Sequence, residues 1–259
     1  MKIVPSMSVK EIYDNLAEDL KKIEYQRKKL LPKAIKQLKK KTSFPAWEIY
    51  EYTVPSTNNT YFINYYAQSI RNCNDPVVTS LCLASDRNET YMLEWGGVLY
   101  KHAETRPLDF VRQVRFYSSH FIDRYIERFL KDDTLTHNDA ICIYVSRNQD
   151  FIPLKVNEGI NINYKKYGNA GANAFRVRDG ICFLRGYVYG EESKDGDINK
   201  DVIDSIGIVF KTFVDSCTLH ESQKQAIDEE HEHCLTDSIN YLKEEFDRAN
   251  SDLIYTLPK

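Results

Sequence analysis

Four stretches decide the fold: WEIYEYTV (47–54), TYFINYYA (60–67), VVTSLCLA (77–84) and TYMLEWGGVLY (90–100). Apolar and polar residues alternate along them, β-branched and aromatic types dominate, and the segments between are rich in Pro, Asn, Ser and Asp. Alternating runs joined by such short breaks predict an antiparallel β-meander from 46 to 102. Beyond it, Asp109 to Leu130 reads as an extended stretch running into a helix capped by Ser118 or Ser119. A second helix over 134–147 starts at Thr134 or Thr136. Phe175 to Tyr189 holds Asp179-Gly180 between alternating runs, a hairpin signal, and Ser205 to Val214 is apolar on both faces, as a central strand is.

The flanks are helical. Ser8 and Glu11 form a capping-box pair, after which Val9, Leu16, Ile23 and Leu30 recur at heptad spacing with Ile12, Tyr13 and Leu20 between them. Pro32 is expected to kink or restart this helix. After Cys217 an acidic helix carries Ile227, Leu235, Ile239, Leu242 and Phe246 on one stripe. The expected class is therefore α+β: an antiparallel sheet core with an N-terminal basic helical arm and a C-terminal acidic helix. The expected units are the arm 1–41, a core 42–216 (β-rich part 42–103, motif-bearing part 104–216) and the acidic helix 217–259. The arm's stripe is narrow and interrupted by Arg27 and Pro32, so the core is expected to fold without it.

Charge is polarised along the chain. The first 41 residues have net charge +7 and residues 215–259 have −7, within a total of −3. Such asymmetry suits a polyanion partner for the basic end, or docking of the two ends on each other or on another copy. Composition excludes wholesale disorder, and eighteen Tyr and twelve Phe against ten Gly, with no GxxxxGK or GxGxxG, argue against a nucleotide-binding glycine loop. No apolar run could span a bilayer and no signal-peptide core is present, so a cytoplasmic protein without membrane contact is expected. The six Cys form no CxxC pair and are read as reduced and structural.

The segment RFYSSHFIDRYIERFL (115–130) carries the most specific chemistry. On a helix, His120, Arg124 and Arg128 fall at i, i+4 and i+8 on one arc, opposite Phe121, Ile122, Tyr125 and Phe129. Imidazole exchanges protons near neutral pH, and guanidinium forks hold phosphate oxygens in fixed geometry. Arg112 and Arg115 precede this row. In the Asp179-Gly180 hairpin, a two-residue turn puts Arg176, Arg178, Ile181, Phe183 and Arg185 on one face, with Phe175, Val177, Cys182 and Leu184 on the other. Cations beside an aromatic ring suit a stacked base next to phosphates. The competing reading of the 115–130 helix is a solvated, salt-bridged surface.

This HxxxRxxER helix, followed by a hairpin and a last apolar strand with Lys-Thr-Phe-Val, resembles the core of small metal-independent ribonucleases of the barnase and RelE-like toxin superfamily. The likeness covers residues 109–215. It implies His120 as general acid or base, Arg124 and Arg128 on the phosphate, and Lys211 or Thr212 as a further contact. A 2′-OH would then attack the adjacent phosphate without a metal or cofactor. The chain departs from the family in its long 148–172 insertion and its hundred-residue preamble. The expected function is accordingly RNA-directed, with a non-enzymatic assembly protein, joined through residues 8–41 and 220–247, as the alternative. Asp195, Asp197, Asn199 and Asp201 are spaced like the start of a calcium loop, but Lys200 and Ile206 occupy the places of its glycine and its glutamate. His231 to Cys234 (HEHC) is not a zinc-protease motif, and no metal is expected.

Overall fold

The computed structural model describes residues 1–100, 109–149, 151–154, 173–192, 198–215 and scattered residues between 217 and 243. Helix α1 (Val9–Leu38) starts as its capping pair predicts. Ser8 Oγ accepts from the Glu11 N–H at 3.3 Å while Glu11 Oε2 accepts from the Ser8 N–H at 2.9 Å. Of the kink or restart expected at Pro32, the restart does not occur, and the helix runs 30 residues through it. Pro32 lies on the exposed side, where the carbonyl of Lys28, deprived of its N–H partner, can reach water. Buried Ala34 and Leu38 hold the last turns in place.

The meander follows the sequence reading: β1 (Ala46–Thr53), β2 (Thr60–Ala67), β3 (Val77–Ser85) and β4 (Thr90–Tyr100) pair in order and antiparallel. It then continues into β5 (Asp109–Ser118), which pairs with β4 from Tyr91↔Ser118 to Tyr100↔Asp109. One nine-stranded sheet results, in the order β1-β2-β3-β4-β5-β9-β8-β7-β6, where β6 is Ile152–Leu154, β7 Asn173–Val177, β8 Gly180–Glu192 and β9 Ile198–Asp215. The sheet is mixed rather than wholly antiparallel, because β9 runs parallel to β5. Its central place accounts for the apolar residues on both faces of β9.

Helices cover both faces. On one, α1 buries Ile12, Leu16 and Ile23 against Tyr61, Cys82, Leu93, Val114, Phe116 and Val209. Its last turns bring Ala34 and Leu38 against Ile63, Tyr65 and Ala67. On the other face, α2 (Ser119–Tyr125) and α3 (His137–Arg147) pack Phe121, Tyr125, Ile141 and Tyr144 on Tyr117, Phe210 and Phe213. Ser118 caps α2 by accepting from the Phe121 N–H, and α2 ends in a wider turn over Ile126–Leu130. Thr136 caps α3. The basic helix is thus a layer of the core, contrary to the expectation of a dispensable arm. Its carboxylate Asp19, wholly buried, accepts from Thr57 Oγ1 at 2.8 Å, Asn59 Nδ2 at 2.8 Å and Tyr61 Oη at 3.2 Å.

The hairpin turns one residue earlier than Asp179-Gly180 predicts. Val177 pairs with Gly180, so Arg178 and Asp179 form the turn. The two faces keep their expected composition, except that Arg178 leaves the strand. Between Phe183↔Thr212 and Leu184↔Phe210 the ladder carries an extra residue, Lys211. This bulge lets Phe210 and Phe213, three apart, enter the same core. Cys73, Cys82, Cys142 and Cys182 are free and buried. Of the acidic C-terminal stretch, the described residues from Gln225 to Lys243 are helical. Ile227, Leu235, Leu242 and Phe246 lie outside the described residues.

Candidate functional site

The sequence-predicted site residues divide between the two faces of the sheet. His120, Arg124 and Arg128 belong to α2 and its terminal turn, on the face shared with α3. Thr212 pairs with Phe183 across β8 and β9, and the residues flanking them in register, Cys182 and Phe213, point to the α2/α3 core. Thr212, Phe183, Arg185 and Arg176 therefore project from the opposite face. Arg112 also lies there, its guanidinium 5.8 Å from the Tyr13 ring of α1, while Arg115 lies on the α2/α3 side. Lys211 is exposed on the bulge, Arg178 is exposed in the turn, and Thr212 is buried. A single concave site gathering His120 with Arg176, Phe183 and Thr212 is not formed.

Several of these arginines already have structural partners. Arg124 pairs with Glu127 one turn on, and Arg128 Nη1 donates to the Phe213 carbonyl, tying the helix end to β9. Arg176 pairs with Asp228. Arg115 Nη1 sits 3.1 Å from Glu94 Oε2, which also accepts from Tyr117 Oη at 2.7 Å. Burial and the Glu94 charge push the Tyr117 hydroxyl well above its ordinary pKa. Burial alone would lower Arg115, but its Tyr117 and Glu94 neighbours hold it above its ordinary value. His120 is exposed on its helix, and the nearby imidazole of His137 contacts Asp123 Oδ1 at 2.7 Å. Phe183 and Arg185 also make interactions of their own.

The outer side of α1 has a different character. The buried stripe of Ile12, Leu16, Asp19, Ile23 and Ala34 fixes which side faces out. At 100° per residue, Lys21, Lys28, Lys29 and Lys36 cluster roughly opposite that stripe, and Lys39 and Lys40 continue the row past the last turn. All six are exposed, and Tyr25, 64% exposed, stands among them. Acids on this side, Glu11, Asp14 and Glu18, are confined to the first half of the helix, and Glu24, exposed at the edge of the row beside Lys21 and Lys28, is the one acid between residues 21 and 38. The segregation agrees with the helix dipole, which favours acids near the N-terminus and bases near the C-terminus. Among the described residues, no ion pair engages any of the six lysines. Lys41, by contrast, pairs with Glu48 at 2.9 Å, and Lys33 lies 4.9 Å over the Tyr50 ring.

The rigid placement of this row was not legible from periodicity alone. The heptad spacing suits a coiled-coil seam, and only the sheet's face, built from strands as distant in the chain as β9, supplies the surface that orients it. Among the described residues no group of three His, Cys, Asp or Glu could hold a metal ion. Asp195 and Asp197 of the calcium-like stretch, and His231 and Cys234 of the HEHC run, lie outside the described residues. No described helix is long and apolar enough to cross a membrane. Comparison with known proteins found no matching family model, no matching curated protein and no matching solved structure.

Proposed function

We propose that this chain binds nucleic acid, RNA first, through the phosphate backbone, with the outer lysine row of α1 as its contact surface. One observation carries the reading: six exposed lysines stand on one side of a helix that the sheet holds rigid, without a described acidic partner. Lysine is a compact, mobile charge that tracks phosphates without fixing base geometry, so recognition independent of sequence follows. Residues 21 to 38 span roughly 25 Å of helix axis, enough to meet several phosphates. Tyr25 adds a ring on which an unpaired base can stack.

The test is fluorescence anisotropy with a labelled mixed-sequence RNA and a matching DNA. Backbone binding of this kind has dissociation constants on the order of 1–100 μM at physiological salt. If all six lysines engage a single strand, log K should fall with log salt at a slope of about −4, and Lys21→Glu with Lys28→Glu and Lys36→Glu should abolish binding. No binding even at low salt, or binding indifferent to the triple reversal, overturns the proposal.

A second reading draws on the −7 charge of residues 215–259, which could dock on the lysine row of another copy. Light scattering separates the two, since the assembly reading requires oligomers that dissociate with salt.

A further inference from the structure

Strands β3 and β4 are joined by only four residue pairs, Ser85↔Thr90 to Cys82↔Leu93, next to their turn. Past that point they part. β3 continues to Val77 still paired with β2, and β4 continues to Tyr100 still paired with β5. The opening between them is a cleft of about 310 Å³ that passes through the plane of the sheet. Leu16, Leu20, Ile23 and Trp95 form an apolar wall on its α1 side, and Thr79, Glu94 and Gln149 line the rest. That volume falls at the lower end of sites for small molecules.

Its polar groups are incompletely used. Tyr117 and Arg115 both address Glu94 Oε2, and among the described residues nothing donates to Oε1. Across the cleft, Arg27 of α1 donates one Nη2 bond to the Val78 carbonyl, on the β3 edge that β4 has left. Its other guanidinium donors have no described partner. The Ser80 hydroxyl, which lines the same opening, is shielded from water and makes no hydrogen bond. A buried hydroxyl without a partner costs about 1–3 kcal/mol, so it calls for an explanation. A carboxylate oxygen, a guanidinium, an unsatisfied hydroxyl and an apolar wall thus converge on one cavity.

We infer that this cleft binds a small zwitterion of the amino-acid class. The ligand's ammonium meets Glu94 Oε1, its carboxylate meets Arg27, and its side chain lies along Leu20, Ile23 and Trp95. The Glu94 charge is already met by Arg115 at Oε2, but its Oε1 and the spare Arg27 donors are open, so a ligand carrying both an ammonium and a carboxylate uses both at once, whereas a simple anion or cation uses one. The site is independent of the lysine row, which lies on the opposite side of α1.

Gln149 supplies a probe, since it lines the cleft and is itself exposed. Gln149→Trp should therefore obstruct the cleft without displacing the core. The experiment is isothermal titration of the chain with the free amino acids and a set of dipeptides, beside their N-acetylated and C-amidated forms. Saturable binding of at least one free form is expected, weakened tenfold or more by either cap, and reduced tenfold or more in Gln149→Trp and in Glu94→Gln. Circular dichroism and an unchanged thermal midpoint of Gln149→Trp would certify that its fold is intact. Absence of binding by every free form, equal binding of capped forms, or undiminished binding by folded Gln149→Trp overturns the inference.

Discussion

Arg147 and Asp179 meet as a fork, with Nε 2.8 Å from Oδ2 and Nη2 2.7 Å from Oδ1. The carboxylate, with a side chain 1% exposed, also accepts from Tyr125 Oη at 2.7 Å and Asn148 Nδ2 at 2.9 Å. The Asp179 N–H in turn donates to Asn148 Oδ1 at 2.9 Å. One residue at the tip of the β7–β8 hairpin thus fastens α2 and the end of α3 to the sheet. Arg147 is held above its ordinary pKa, first by its hydrogen bonds to Asp179, and stays charged throughout the accessible range.

Removing the Asp179 carboxylate strands a guanidinium and two neutral donors, Tyr125 Oη and Asn148 Nδ2. Asp179→Ala should cost about 3–5 kcal/mol in urea-induced unfolding, the range for breaking one side of a buried pair. Arg147→Lys, which keeps the charge but loses the fork, should cost less, yet more than a surface substitution. A loss below about 1 kcal/mol for Asp179→Ala would show that the fork is incidental to stability.

The buried Asp19 gives a sharper chemical test. Thr57, Asn59 and Tyr61 all present donors to it, so Asp19→Asn substitutes an amide that can accept at only one atom and turns an N–H₂ toward donors. The expected cost is about 1–3 kcal/mol for each group left unsatisfied, read as a lowered thermal midpoint. Thr57→Val in the Asp19→Asn background should cost less than in the wild type, because the hydroxyl has already lost its carboxylate. Full additivity would deny the network.

Local features and distant ones differed in how far the sequence revealed them. Strand bounds in the meander, the Ser8 and Thr136 caps and the central place of β9 follow from spacing and side-chain type, which act within a few residues. Partner choice across the chain does not. Nothing local to Arg128 names the Phe213 carbonyl, 85 residues on, as its acceptor, and nothing local to Arg176 names Asp228. A row of arginines looks the same whether it awaits a phosphate or holds the fold together. The cleft left one mark: Glu94 beside Gly96-Gly97 breaks an otherwise apolar strand.

Truncation after Lys41 should abolish cooperative unfolding. The cut removes Ile12, Leu16 and Ile23 and bares Tyr61, Leu93, Val114, Phe116 and Val209, an apolar sheet face that water would otherwise meet. Expression of residues 42–259 should give insoluble protein or a broad thermal transition. A soluble fragment with one sharp transition would show that α1 is an appendage after all.

Thiol labelling should be selective. Burial pushes the Cys82 thiol up to about 12 and raises Cys142 and Cys182 also, so at pH 8 these groups remain protonated and unreactive. Cys217 is exposed. Timed alkylation of the native chain with peptide mapping should modify Cys217 well before Cys73, Cys82, Cys142 and Cys182, which should react only after denaturation. Equal rates at Cys217 and any buried thiol would mean that the core opens on the labelling timescale.

The α2 row gives the test that separates binding of RNA from its cleavage. Arg128 ties the end of α2 to β9 through the Phe213 carbonyl, so Arg128→Ala should lower stability by about 1–3 kcal/mol whatever the substrate. Arg124 has a half-exposed bond to Glu127, and Arg124→Ala should change stability by less than about 1 kcal/mol. His120 is exposed on a face that Arg176, Phe183 and Thr212 do not share, and the two arginines on its own helix, Arg124 and Arg128, are already engaged by Glu127 and the Phe213 carbonyl. Purified protein incubated with mixed-sequence RNA should therefore retain it intact, and His120→Ala should bind that RNA as the wild type does. New ends carrying 2′,3′-cyclic phosphate, formed by the wild type and reduced by two decades or more in His120→Ala, would restore the nuclease reading and place the reaction on α2.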